Sequence, residues 1–345
     1  MDYMRQEGCQ LAVESAEFWE SRVKWNEGSQ RYDIHGVMGP DEDHHNVTNN
    51  VYTNVIAGYN LYFSEFASCI CRKVLNLQEY EVVEKWSQIA RQLTLLHDSE
   101  HDYHPQFEGY ERGTAIKQAD VVLLGFPLQY PMDETTKKNN LHYYSEVTRE
   151  DGPAMTWSMH VVGHLDIQEV NEAAQNFKRS YDNYIRRPFM VWSEVTEGFV
   201  GAGNFITGAG GFLQGVINGY AGVRLHQDSM TIEHPRLPPG VTSLTINRIS
   251  YLGSTFRISL QDTFALFTVT QTNLSKPLLF TLNDQEVDGE IQITPNDILV
   301  IKPKSFDFED CALPSNIIGG TKSLQLASNI ILITAFSTIV INSLM

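Results

Sequence analysis

The sequence predicts a multidomain α+β protein in which a helical half is followed by a small antiparallel β module. Three observations carry that prediction. The chain has 345 residues, enough for a large core and more than one domain. Apolar residues recur at helical spacing up to about residue 225. Beyond that point, short runs rich in β-branched and aromatic residues alternate with turns.

Residues 2–24 form the first predicted helix, with Leu11, Ala12, Phe18 and Trp19 as its apolar face. The chain opens inside that amphipathic pattern without a leader, which points to structure missing upstream. Residues 48–72 form a second helix, whose Val51, Val55, Tyr59, Tyr62 and Phe66 line one side. A third runs over 78–96 through Val82, Trp86, Ile89, Ala90 and Leu93. Residues 113–124 read as a fourth, closed by Gly125 and Pro127. A helical pair follows at 156–165 and 168–182, then a last, glycine-rich helix at 209–219. The connections 25–47, 97–112 and 186–208 are long and polar, and loops of that length in compact domains usually carry function. A linker over 226–240, ending in HPRLPPG, separates the helical domain 1–225 from the β module 241–345. Strands at 241–246, 255–260, 265–270 and 298–301 predict a sandwich there. The terminal LASNIILITAFSTIVINSLM is interrupted by Ser328, Asn329, Thr334, Ser337 and Thr338. It falls short of a membrane span and reads as one or two buried strands.

Lys and Arg number 25 against 42 Asp and Glu, a formal charge of −17, and no basic tract is present. Nucleic acid and an anionic membrane surface are thereby excluded as partners. The 15 Tyr and 5 Trp suit stacking on sugar rings, and equally an ordinary core. Cys9, Cys69, Cys71 and Cys311 lack zinc-ligand spacing and read as buried thiols of a reducing compartment, which predicts a cytoplasmic protein. Asn46-Val-Thr48 and Asn273-Leu-Ser275 match the glycosylation triplet, which matters only in a secreted chain.

The richest stretch is HGVMGPDEDHHNVTNNVYTN, residues 35–54. Asp41 and Glu42 follow a Gly39-Pro40 turn, His44 and His45 stand close by, and a helix begins at once. Pro40 fixes its own φ and Gly39 is free to bend, so the acids sit on a defined corner. A carboxyl held among apolar and aromatic groups can have its pKa raised and serve as a general acid. The plainer alternative is an acidic turn before a helix N-terminus, where carboxylates are favoured anyway. Asn49 and Asn50 suit fixing that N-terminus.

The GVMGPDEDHHNVTNNVYTN segment resembles the signature around the catalytic acid of family 65 glycoside hydrolases and phosphorylases, where Tyr is usual at the position of Asp43. Lys117-Gln118-Ala119-Asp120 resembles a second segment of that family, whose Lys and Gln bind the sugar. The resemblance covers about residues 1–225 well and the β region weakly. It implies an (α/α)6 toroid of paired helices followed by a β-sandwich. The helices read above are too few for six pairs, so the implied toroid is incomplete, lacking an N-terminal β domain and its first helices. The implied reaction is release of glucose from an α-glucosyl disaccharide unit, with the glucosylgalactosylhydroxylysine of collagen as the expected substrate. A trehalase-like hydrolase, a disaccharide phosphorylase and an inactive carbohydrate-binding fragment are the alternatives.

Hydrolysis with inversion needs an acid on the leaving oxygen and a base that activates water on the opposite face. The resemblance makes Glu42 the acid. It supports Glu194, which opens a glycine-rich loop, as the base, with Glu197 as rival. Their carboxyls should stand roughly 6.5–9.5 Å apart; about 5–5.5 Å would mean a retaining nucleophile. Lys117 and Gln118 are the expected ligands of sugar hydroxyls. Trp25 and Trp192 are stacking candidates or core aromatics. Asp41 suits accepting backbone N–H groups or a sugar hydroxyl, and His44, like His45, suits contact with sugar, with Glu42 or with the fold itself. The glycine-rich run 201–211 lacks the ending of a P-loop. No cofactor and no metal is expected, and Glu194 would repel phosphate, so the expected glucose release is phosphate-independent.

Overall fold

The computed structural model describes residues 3–76, 84–305 and 311. Helix α1 (Cys9–Arg22), preceded by a wider turn at Met4–Gly8, is followed by the hairpin β1 (Val23–Asn26) and β2 (Arg31–Ile34). Helix α2 (Val51–Val74) is the axis of the first core. Its Val51, Val55, Tyr59 and Tyr62 are buried as the periodicity predicts, while Phe66 is only half-buried. Helix α3 (Glu84–Arg91) buries Trp86, Ile89 and Ala90 against it. On α1 the expected face is divided. Ala12 is buried, but Leu11 and Phe18 are each 53% exposed.

Two helical expectations change. Residues 113–124 form only a short 3-10 turn at Val121–Leu124. The N–H of Ile116 goes to Val147 O, that of Lys117 to the Asp41 carboxylate and that of Ala119 to Thr156 Oγ, so these donors are unavailable to a helix. Conversely, α4 (Glu134–Val147) arises from a polar stretch with no early apolar stripe. Asp133 caps it, its side chain accepting from Thr136 N at 2.8 Å. Helices α5 (Met155–Asp166) and α6 (Val170–Asp182) form the expected antiparallel pair, and the short ladder β3 (Ile185–Arg186) and β4 (Val191–Trp192) follows. Helix α7 (Ile206–Gln214) continues as a wider turn through Gly215–Tyr220. Helix α5 lies between α6 and α7 and is buried from Thr156 to Leu165, giving the paired, toroid-like packing of the helical region.

The β region is two antiparallel sheets facing one core. Strands β5 (Val223–Leu225) and β6 (Met230–Glu233) join β10 (Leu278–Leu282), β11 (Gln285–Glu286) and β13 (Ile298–Pro303) in the order β11-β10-β13-β6-β5. The stretch 226–240 expected as a linker therefore contains a strand, β6, paired on both sides. The second sheet runs β12 (Ile291–Ile293), β9 (Ala265–Gln271), β8 (Ser254–Leu260), β7 (Leu244–Tyr251). Phe256, Ile258, Phe267 and Ile293 of that sheet meet Met230, Ile232, Leu299 and Ile301 of the first, all with little or no exposure.

The expectation of free thiols is corrected. Cys9 pairs with Cys71, joining the start of α1 to the end of α2, and Cys69 pairs with Cys311, joining α2 to the chain beyond β13. Positions two apart on a helix point to opposite faces, so Cys69 and Cys71 find different partners. The expected strands of the last twenty residues lie outside the described residues. Among the described residues no helix is long and apolar enough to cross a membrane.

Candidate active site

The Gly39–Asp41 corner is clamped from the 106–120 segment. Asp41 is fully buried and its backbone N–H donates to Asp120 Oδ2 at 3.2 Å. Its own carboxylate accepts from Lys117 N (2.9 Å) and Asp43 N (3.4 Å) through Oδ1, and from Gln106 Nε2 (3.1 Å) through Oδ2, which also lies 2.6 Å from His44 Nδ1. Asp41 is thus engaged wholly with protein groups, and His44, half-buried against Phe107, is engaged with Asp41. Asn50 caps α2 through Thr53 N and donates its amide to Asp120. Gln118 donates to Pro40 O. His45 is exposed.

Gly39 is required by close approach. A Cβ there would fall 2.3 Å from Asp120 Oδ2 and 2.4 Å from Asn50 Nδ2. Gly39→Ala is expected to lower stability by about 1–3 kcal/mol through overpacking, read as a lower urea midpoint. An unchanged midpoint would show that the clamp is slack.

The corner leaves Glu42 projecting outward, its side chain 55% exposed, with Oε2 2.6 Å from Lys117 Nζ. Hydrogen bonding to Glu42 is the largest influence raising the Lys117 pKa; the charges of Glu42, Glu194 and Asp43 add to it. Glu194 therefore lies within the field of the same ammonium as Glu42. It follows β4 and is fixed at its main chain. Its N–H donates to Ala202 O, its carbonyl accepts from Ala154 N, and its Oε2 accepts from Ala202 N, each at 2.9 Å. The loop 195–202 thus closes on Glu194 itself, while Glu197 on that loop is exposed.

Trp192 supports this loop from below. Its ring packs on Phe212, with centroids 5.3 Å apart, and its Nε1 donates to Ser180 O at 3.2 Å. Trp25 lies on the β1–β2 hairpin, edge-on to Tyr32 at 5.0 Å. Among the described residues, neither ring makes a hydrogen bond or a ring contact with Glu42, Lys117 or Glu194.

Three residues that sequence reasoning left without a role complete the site. Asp120 holds the corner, and its buried carboxyl is pushed up to about 7, chiefly by loss of water. Its place in the Lys117–Asp120 segment was the available signal. Asp43, where the family pattern has Tyr, pairs with Arg149 at 2.7 Å, and Arg149 also pairs with Asp151. A cavity of about 410 Å³ opens beside this ion pair, lined by Arg149, Asp151, Trp157, Arg179 and, from the Glu194 loop, Thr196 and Phe199.

The chain is similar in sequence and in fold to known proteins. Residues 1–115 match the glycosyl hydrolase family 65 central catalytic domain. Protein-glucosylgalactosylhydroxylysine glucosidase of Dictyostelium discoideum is 42% identical over 292 residues, 84% of this chain and 39% of that protein. The Gallus gallus protein of the same name is 40% identical over 277 residues, 80% of this chain and 38% of that protein. The chain thus spans about two-fifths of the length of these relatives. A putative kojibiose phosphorylase from human microbiome shares the fold, with a TM-score of 0.65 and 17% identity over 85% of this chain and 46% of that one. The chain belongs to glycosyl hydrolase family 65.

Proposed function

We propose that the chain carries the catalytic groups of an inverting glycoside hydrolase that releases glucose from an α-glucosyl disaccharide unit. Glu42 is the general acid and Glu194 the general base. The observation that carries this reading is the Lys117 ammonium, which binds Glu42 directly and feels the charge of Glu194. Two carboxylates from distant parts of the chain thus act on one cation. In the substrate complex Lys117 turns to a sugar hydroxyl, freeing Glu42 to carry a proton. Gln118 and Trp192 act as supports of the two carboxylate loops, each through the backbone oxygen it already binds. The leaving part of the disaccharide occupies the cavity beside Arg149. The names of the relatives in Dictyostelium and Gallus favour glucosylgalactosylhydroxylysine as that disaccharide.

Hydrolysis is favoured over phosphorolysis because Glu194 presents a carboxylate where a phosphate would have to bind. The cytoplasmic placement expected from the sequence rests on the lack of a signal peptide and on a reading of the cysteines as buried thiols; the two disulfides support an oxidising compartment instead. The test is product analysis with glucosylgalactosylhydroxylysine, kojibiose, trehalose and maltose, with and without phosphate. The chain is assayed as it stands and in a form lengthened to the span of its relatives. Free glucose, unaffected by phosphate and greatest with the hydroxylysine conjugate, is expected. Glucose 1-phosphate formed only when phosphate is present would overturn the assignment.

A further inference from the structure

Outside the catalytic region, three elements bring two imidazoles and a carboxylate to one point. His142 lies on α4, His164 on α5, and Glu169 stands immediately before α6. Glu169 Oε2 is 2.8 Å from His142 Nε2 and 3.0 Å from His164 Nδ1. The three donor atoms all lie within 4.8 Å of one another. We propose that His142 Nε2, His164 Nδ1 and Glu169 Oε2 form a binding site for one zinc-type divalent cation.

The donor set suits such an ion. Two imidazole nitrogens and a carboxylate oxygen are ordinary zinc ligands at about 2.0–2.2 Å, with a fourth position left for water. Atoms so held around one ion stand a little over 3 Å apart. The two nitrogen–oxygen distances are within a few tenths of an ångström of that spacing, and the two nitrogens, within 4.8 Å of each other, draw together on binding by a turn of the exposed His142 side chain. Each neutral ring keeps one proton, transferred to its far nitrogen, and no net charge other than that of the cation enters the site. The other carboxylate oxygen, Oε1, is held by Lys138 Nζ at 2.7 Å, which fixes the carboxylate from outside. An entry path exists on one side, because the His142 side chain is 44% exposed while that of His164 is 2% exposed. All four cysteines are in disulfides, so thiolates do not compete for the ion.

The position gives the cation a structural role. It would tie α4 to the α5–α6 turn. At the end of α5, Asp166 pairs with Lys137 of α4 and with Arg224 of β5, so this turn is also where the helical region meets the first sheet. Neither Glu42 nor Glu194 is among the groups that form the site.

The test is metal binding by the whole chain after chelator treatment and dialysis. Zinc is followed by calorimetry and cobalt by its visible absorption. One equivalent of zinc per chain, a raised melting temperature and a cobalt spectrum free of sulfur charge transfer are expected. His142→Ala, at a half-exposed position, should fold and bind at least tenfold more weakly. His97→Ala, at the exposed His97–Asp102 pair, should bind as wild type does. Wild type that takes up no stoichiometric metal, or equal affinity in wild type and His142→Ala, would overturn the proposal.

Discussion

Replacing Asp120 with Asn is expected to leave the chain more stable than wild type above about pH 7, by about 4 kcal/mol, with the advantage vanishing below about pH 4. Asp120 is fully buried, and loss of water pushes its carboxyl up from 3.8 to about 7. Hydrogen bonds from Asp41 N, Asn50 and Gln106 pull the other way, and the charge of Asp41 pushes it further up. The native state therefore holds a proton that the unfolded chain releases between these two values. Stability from this group is fully present below the unfolded value and is lost as pH rises through the folded one. About three pKa units at about 1.4 kcal/mol each give the stated size. Asn keeps an oxygen for the Asp41 N–H and cannot ionise. Urea midpoints from pH 4 to 8.5 should diverge between the two proteins as pH rises, and parallel curves would defeat the idea. His104 has the opposite sign in both. Burial pushes its ring down from 6.5 to about 4, so its contribution is lost as pH falls through that window. Because His104 is common to both proteins, it cancels in the difference.

The placement of Asp120 also explains what a sequence can and cannot disclose here. The helical half and the β module were legible because burial imposes a period. Val51, Val55, Tyr59 and Tyr62 mark α2, and the alternation Phe256, Ile258, Leu260 marks β8. Helix α4 was missed because capping by Asp133 begins it while its apolar residues, Leu141, Tyr143 and Tyr144, come only near its end. The opposite error at 113–124 has a tertiary cause. Lys117 and Ala119 give their N–H groups to Asp41 and Thr156, partners that no local window contains. The disulfides have the same character, since only packing brings Cys9 to Cys71 and Cys311 to Cys69. Within the site, the glycine-proline corner was legible as a bend. Its function as a clamp for Asp41, with Glu42 left outside, needed the Asp120 and Gln106 side chains.

Removing either carboxylate should then have distinct consequences, and the distinction tests their roles. Glu42→Gln is expected to lower glucose release from a disaccharide by about 10²–10⁴-fold, since it removes proton donation to the leaving oxygen. It should lose far less with α-glucosyl fluoride, whose leaving group needs no proton. Glu194→Ser should lose activity with both substrates, because water must be activated in either case. Azide should restore turnover in Glu194→Ser, giving a β-glucosyl azide, and should not restore disaccharide cleavage in Glu42→Gln. These measurements belong in the form lengthened to the full span of the relatives, with the present chain beside it. The loop argues for a base that is held rather than free. Glu194 Oε2 accepts from Ala202 N, which leaves the other oxygen to take a proton from water. Wild type should release β-glucose first, which requires a water between the sugar and Glu194 and carboxyls roughly 6.5–9.5 Å apart. Release of α-glucose first would make Glu194 a nucleophile. Equal losses on disaccharide and fluoride in Glu42→Gln would remove Glu42 from the role of acid, leaving its contact with Lys117 as a fixture of the fold.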